Sequence, residues 1–225
     1  VNLMTKGGTK RGRPPIDPDD LVPILEAVLR LATTKNSQLI TVREIAQEAD
    51  VSVGRLQHHF GTRDELIGTA FEHHLLKVTD RLQNLRDAPG SARERMSRMI
   101  DEIAFNRAWR RSTIWIDLIA HAVSSDRYRA AVERINDAWN RVFTELIADG
   151  EAVGEFRLSA TAEMTAAHLV AVSDGLTVMV ITDGEGQAES RGQARRDMLA
   201  AAVSAALGGE FPTSHLPRDD RTPFV

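Results

Sequence analysis

Thr41-Val-Arg-Glu-Ile-Ala-Gln-Glu-Ala-Asp50-Val-Ser-Val-Gly-Arg-Leu-Gln-His-His-Phe60 reads as two short helices joined by a tight turn. Thr41 and Glu44 have the spacing of a capping box, in which the hydroxyl and the carboxylate satisfy the orphan N–H groups of a helix start near Val42. Val42, Ile45, Ala46 and Ala49 follow at i, i+3, i+4 and i+7, one apolar stripe, with Ala46 small where a second helix must cross. Asp50 ends the segment, and aspartate tolerates the left-handed backbone that a sharp turn needs. Val51 plugs the corner and Ser52 is an N-cap for the next helix, whose inner side is Leu56 and Phe60.

Val53, Gly54, Arg55, Gln57, His58 and His59 are then left on the outer side, a set that suits a helix lying in the DNA major groove. Gly54 lets the backbone approach a phosphate or a base edge, and Arg55 and Gln57 are residue types that read guanine and adenine. A helix-turn-helix docks in this way, through the first residues of its second helix. The competing reading is a helical hairpin with a polar face. Context argues against it. A preceding helix carries the stripe Leu21, Ile24, Leu25, Val28 and Leu29, with Pro23 tolerable in a first turn. A following helix starts at a second capping box, Thr62 and Glu65, and runs through Leu66, Ile67, Ala70, Phe71, Leu75 and Val78 towards Leu85.

These residues resemble the signature of the TetR family of bacterial transcriptional repressors: Ile45-Ala46, Val51-Ser52, Gly54, Leu56, His59-Phe60, Arg63 and Glu65-Leu66 stand in the right order. The resemblance is strongest over the first 75 residues and weaker through the helical remainder. Asp50 stands where the family usually has glycine, and Gln57 where it usually has tyrosine. The resemblance implies that Thr41 and Arg63 hold phosphates, that Arg43 and Arg55 reach base edges, and that His59 lies against the sugar-phosphate backbone. Thr62, Ser52, Val53 and His58 complete the expected DNA-facing set.

In front of the headpiece, Lys6 to Pro15 carries four positive charges, no acid and no apolar periodicity, the composition of a disordered arm. Arg11-Gly12-Arg13-Pro14 is similar to the core of an AT-hook, with two arginines for a narrow minor groove. A non-specific phosphate anchor is the alternative. The net charge of −4 is the wrong sign for a DNA binder until it is split along the chain: positions 1 to 63 hold nine Lys/Arg against seven Asp/Glu, so the acidic excess lies further on.

The chain has no cysteine, which excludes disulfides and thiol redox chemistry and points to the cytoplasm. No uncharged apolar run approaches the ~20 residues of a membrane span, so no membrane partner is expected. Adjacent histidines at 58-59 and 73-74 point about 100° apart on a helix and make poor metal pairs. Asp117 and His121, at i and i+4, are the best alternative, and no metal or cofactor is expected.

Beyond Ala88-Pro89-Gly90, Ser91 and Glu94 cap a helix running to about Arg107, with Met96, Met99, Ile100 and Ile103 inward. A helix with Ile114, Trp115, Leu118, Ile119 and Ala122 follows, then a long one from an Asp126 cap to Gly150. This half resembles the ligand-binding part of BetI-like members. Met99, Ile103, Phe105, Trp109, Trp115, Leu118, Ile119, Trp139, Met164 and His168 are the candidate lining of a small-molecule pocket, or else plain core. Two alanine-rich helices, Ser159 to Ile181 and Gly192 to Leu207, have the small flat surfaces of a four-helix homodimer interface, or of close packing within one chain.

The expectation is an all-α protein. A basic arm (1–17) precedes a three-helix headpiece (18–63) and a connecting helix (64–85), followed by a helical ligand-binding and dimerisation domain (86–210) and a flexible tail (211–225). The function expected is a homodimeric repressor of a palindromic double-stranded DNA operator, released by a small-molecule effector. One rival is a constitutive architectural DNA-binding protein. The other, an all-helical enzyme using Asp117, His121 or Glu163, lacks a positioned nucleophile or cofactor loop.

Overall fold

The computed structural model describes residues 18–188 and 190–211. The basic arm with Arg11 and Arg13, and the tail from 212 onward, lie outside the described residues. Ten α-helices follow one another among those described: α1 (Pro18–Thr34), α2 (Val42–Glu48), α3 (Val53–Phe60), α4 (Arg63–Arg86), α5 (Ala92–Phe105), α6 (Ala108–Ala122), α7 (Asp126–Ala152), α8 (Ala162–Asp183), α9 (Glu185–Ala188) and α10 (Gly192–Leu207).

The capping signals act where the sequence puts them. Thr41/Glu44, Thr62/Glu65 and Ser91/Glu94 each form reciprocal capping boxes at the starts of α2, α4 and α5. Three boundaries differ from expectation. The helix α1 begins a turn earlier, which puts Pro23 in its interior, where the exposed ring faces away from the core. Ser125, not Asp126, is the N-cap of α7, so Asp126 is its first residue and contributes charge to the first turn. The next helix starts at a Thr161 cap whose hydroxyl accepts from the Met164 N–H at 3.2 Å.

Two apolar cores organise the bundle. The first joins Ile24, Val28 and Leu29 of α1 and Ile45 of α2 to Leu56 of α3 and Phe71 of α4. It continues without a break into Ile114 and Leu118 of α6 and Tyr128 of α7. The second gathers Met96, Met99 and Ile100 of α5 with Phe143 and Leu146 of α7, Leu169 of α8 and Val203 of α10. Phe211, assigned by the sequence to the tail, is buried here against Phe156, with the Arg93 guanidinium 4.8 Å from its ring centre. The helix α8 is long and apolar enough to cross a bilayer, yet it packs against α6, α7 and α10 inside the bundle.

Candidate nucleic-acid interface and ligand cavity

The reading unit is built by short-range chemistry. The Thr41 hydroxyl accepts from the Glu44 N–H at 3.2 Å and donates to Glu44 Oε2 at 2.8 Å. Lys35 donates to the same carboxylate at 2.6 Å, and these bonds, Lys35 foremost, hold the Glu44 carboxyl down to about 2. Asp50 takes the left-handed conformation, φ 52°, and the chain turns there, with the Val51 N–H on the Ala46 carbonyl at 2.9 Å. Ser52 Oγ then accepts from the Arg55 N–H at 3.2 Å and starts α3. Leu56 is buried on the inner side; Gly54, Gln57, His58 and His59 are exposed, while Val53 and Arg55 are half-buried. Arg43, on α2, is exposed beside them.

Two residues of the expected DNA-facing set are used internally. Arg63 donates through Nε to the Ile40 carbonyl at 2.5 Å and through Nη2 to the Ser37 carbonyl, and its Nη1 pairs with Asp64 at 2.5 Å. These bonds take three of the five guanidinium N–H groups and brace the α1–α2 turn against α4. The Thr62 hydroxyl is engaged with Glu65 Oε2 at 3.1 Å.

Behind the headpiece, α4 to α8 enclose a cavity of about 420 Å³, open mouth included. Leu75, Ile103, Ile135 and Val170 give it apolar walls, and Trp115 and Trp139 give it indoles. Arg111, Asn136, Ser173, Asp174 and Thr177 supply polar groups. Trp115 Nε1 donates to Asp174 Oδ1 at 3.0 Å, and burial pushes the Asp174 carboxyl up despite that bond.

Residues 92–212 match the profile of the BetI-type transcriptional repressor C-terminal domain, and residues 24–70 that of the bacterial regulatory proteins of the tetR family. The chain belongs to the TetR family. Its relatives include the HTH-type transcriptional regulator PksA of Bacillus subtilis, 27% identical over 163 residues, which span 71% of this chain and 78% of PksA. Among solved structures, a regulator from Saccharomonospora viridis in complex with choline superposes with a TM-score of 0.73 at 21% identity, covering 85% of this chain and 98% of that one. FadR of Bacillus subtilis in complex with stearoyl-CoA superposes at 0.67 with 14% identity, covering 81% and 98%. These two likenesses are of fold, and one fold accommodates two very different ligands.

Within this TetR-family chain, the cavity brings together three residues of the expected ligand set: Ile103, Trp115 and Trp139. Met99 and Leu118 are fully buried core on either side. Phe105 packs over Gly192, and Trp109 packs with Val180 and Ala188. Ile119, Met164 and His168 are exposed. Met164 and His168 lie roughly on the far side of α8 from the cavity-lining Val170, Ser173, Asp174 and Thr177, so helical phase turns them away from the cavity. Sequence reasoning missed Arg111 and Asp174; Asp174 had a readable signal as the one Asp, Glu, Lys or Arg between Glu163 and Asp183, whereas Arg111, beside Arg110, had none. Asp117 and His121 do lie together, with His121 Nδ1 2.7 Å from the Asp117 carbonyl, and the imidazole stacks on Tyr128 at 4.9 Å. No cluster of three metal-ligating groups occurs among the described residues.

Proposed function

We propose that this TetR-family chain is a homodimeric repressor of a palindromic operator, acting in the bacterial cytoplasm and released when a small molecule fills the cavity between α4 and α8. One observation carries the reading. Leu75, Trp115 and Ile135 belong at once to the cavity wall and to the apolar core that supports α3. A ligand that displaces those side chains must therefore move the bed on which the reading helix rests. Because packed interiors do not deform continuously, the response is a shift between two arrangements. A 100-fold loss of operator affinity needs only ~2.7 kcal/mol of coupling.

The dimer is supported by a face left open on α8 and α10. Met164, Val178 and Met198 are exposed there, 66%, 53% and 48% respectively, among exposed Ala167, Ala171, Gly175, Ala194, Ala201 and Ala205. Small residues let a two-fold copy approach closely, and the large ones give it apolar area. His168 lies on this face. Two-fold symmetry gives two copies of α3 on successive turns of one side of the DNA. Arg43, Arg55 and Gln57 are the side chains proposed to meet base edges. Arg11 and Arg13 are proposed to enter the flanking minor groove.

The test is selection of bound sequences from a random DNA pool, followed by anisotropy titration of the selected site with and without fractions of a small-molecule library. Light scattering of the purified protein accompanies it. A palindrome, a dimeric mass and release by one fraction are expected. A palindrome indifferent to every fraction would favour a constitutive DNA-binding protein instead, and the absence of any enriched sequence would overturn the assignment of α3.

A further inference from the structure

Four arginine side chains are buried among the described residues, and one differs from the rest. Arg110 meets Glu26 at 2.7 Å, Arg195 meets Asp183 at 3.3 Å, and Arg196 meets Asp101 at 2.8 Å. Arg111 is 7% exposed and its guanidinium donates only to backbone: Nη1 to the Asn106 carbonyl at 3.1 Å and Nη2 to the Ile103 carbonyl at 2.6 Å. Among the described residues, no carboxylate stands within ion-pair distance of it. Glu102 is the carboxylate whose charge acts on Arg111 most, and it is already committed to Arg81 at 2.8 Å and to the Asn106 amide at 2.8 and 2.9 Å. Burial lowers the Arg111 pKa only to about 10, so the group stays charged at neutral pH.

A buried cation without a counter-charge is costly, and buried polar groups are normally satisfied. Arg111 lines the cavity, and so does Trp139, whose Nε1–H is buried with no hydrogen-bond partner. The site thus offers two donors, one of them cationic, neither of them bonded to a protein carboxylate. From α8 the cavity also receives Asp174, which accepts one bond, from Trp115, and has a second oxygen that could accept another.

We propose that the effector is a small carboxylate carrying a hydrogen-bond donor, hydroxyl or ammonium, at its other end. Its carboxylate sits on Arg111 and Trp139 Nε1, and its donor on Asp174. Its apolar body fills the space between Leu75, Ile103, Ile135 and Val170. A guanidinium paired with a carboxylate makes the short, charge-assisted bonds for which arginine is suited, and the ligand supplies the counter-charge that the fold omits. A simple cation would gain the two indole faces and Asp174 but would share the cavity with an uncompensated guanidinium. This assignment rests on the reading of the cavity as the effector site.

The experiment is titration calorimetry of the full chain with ω-hydroxy acids and ω-amino acids of rising chain length, each beside its methyl ester, and with choline. At the best-fitting length the acid should bind at least about tenfold more tightly than its ester. Arg111→Met should abolish that preference, and Trp139→Phe, which keeps an aromatic ring and removes the N–H, should weaken the acid several-fold and leave the ester unchanged. The hydroxy and amino arms identify the donor. Ester or choline binding as tightly as the acid, a preference that survives Arg111→Met in a folded variant, or no binding by any acid would overturn the proposal. Operator release by fractions of a cell extract separates the two readings. Release without acid binding leaves the sensor standing and removes the carboxylate, whereas acid binding without release does the reverse.

Discussion

Replacing Gly54 with alanine sets folding against DNA binding within a single methyl group. Gly54 is the second residue of α3, it is exposed, and a Cβ there would meet no protein atom within 4 Å. Alanine is favoured over glycine by ~0.8–1.0 kcal/mol in a helix interior, and roughly half of that applies in a first turn. The variant should therefore be more stable by about 0.5 kcal/mol, a rise in melting temperature of ~1–2 °C for a chain of this size. The space that is empty in the free protein is where α3 would approach DNA. A methyl group there keeps the backbone from its closest contact with a phosphate or base edge, and operator affinity should fall at least tenfold, about 1.4 kcal/mol. Thermal melts at fixed protein concentration and anisotropy titrations on the selected operator read the two effects separately. A Gly54→Ala protein that melts higher and binds as tightly as the parent would refute the placement of the α3 N-terminus at the DNA.

Three further outcomes are expected. Gly68→Ala would place a Cβ 3.1 Å from Tyr128 Cζ and 3.2 Å from Cε1, against a ring held by its hydroxyl on the Asp64 carbonyl at 2.8 Å. The ~1–3 kcal/mol of overpacking should outweigh the ~1 kcal/mol of helix propensity, and denaturant titration showing net stabilisation would contradict the rigidity assigned to Tyr128. His74 is held neutral, its pKa lowered from 6.5 to about 3 by burial first and then by Arg110, Arg81, Arg111 and Arg107. Above pH 6.5 both states are neutral; as pH falls below it, the unfolded chain takes up a proton that the folded chain refuses. Stability should drop by on the order of 1.4 kcal/mol per pH unit through that window, and His74→Leu should remove this part of the acid loss in urea titrations. Arg43→Ala and Arg55→Ala should each cost roughly 1–3 kcal/mol of operator binding and relax base preference at one position per half-site, so an unchanged selected sequence would reassign them to other roles.

The parts of this chain that could be read in advance are those whose physics is local. Three S/T-x-x-E boxes form as their spacing demands, Asp50 makes the left-handed turn, and Leu56 and the stripe of α4 are buried. The cavity was legible only through its large side chains, and only Ile103, Trp115 and Trp139 of the ten expected residues line it. Its polar character comes from Arg111 and Asp174, brought together by the packing of α6 on α8 across about sixty residues of chain, a distance at which periodicity carries no information. Arg63 illustrates the same boundary. Its motif position was recognisable, but the Ile40 and Ser37 carbonyls that capture its guanidinium lie more than twenty residues upstream.

The first core runs without a break from α1 and α3 into α6 and α7. Headpiece and C-terminal half are therefore not interchangeable cassettes. A headpiece transplanted from another regulator would bring α1 and α4 faces not shaped for Ile114, Leu118 and Tyr128, and the chimaera would have to repack its centre to survive. For the same reason, melting should be a single cooperative event, with the reading helix lost together with the cavity wall.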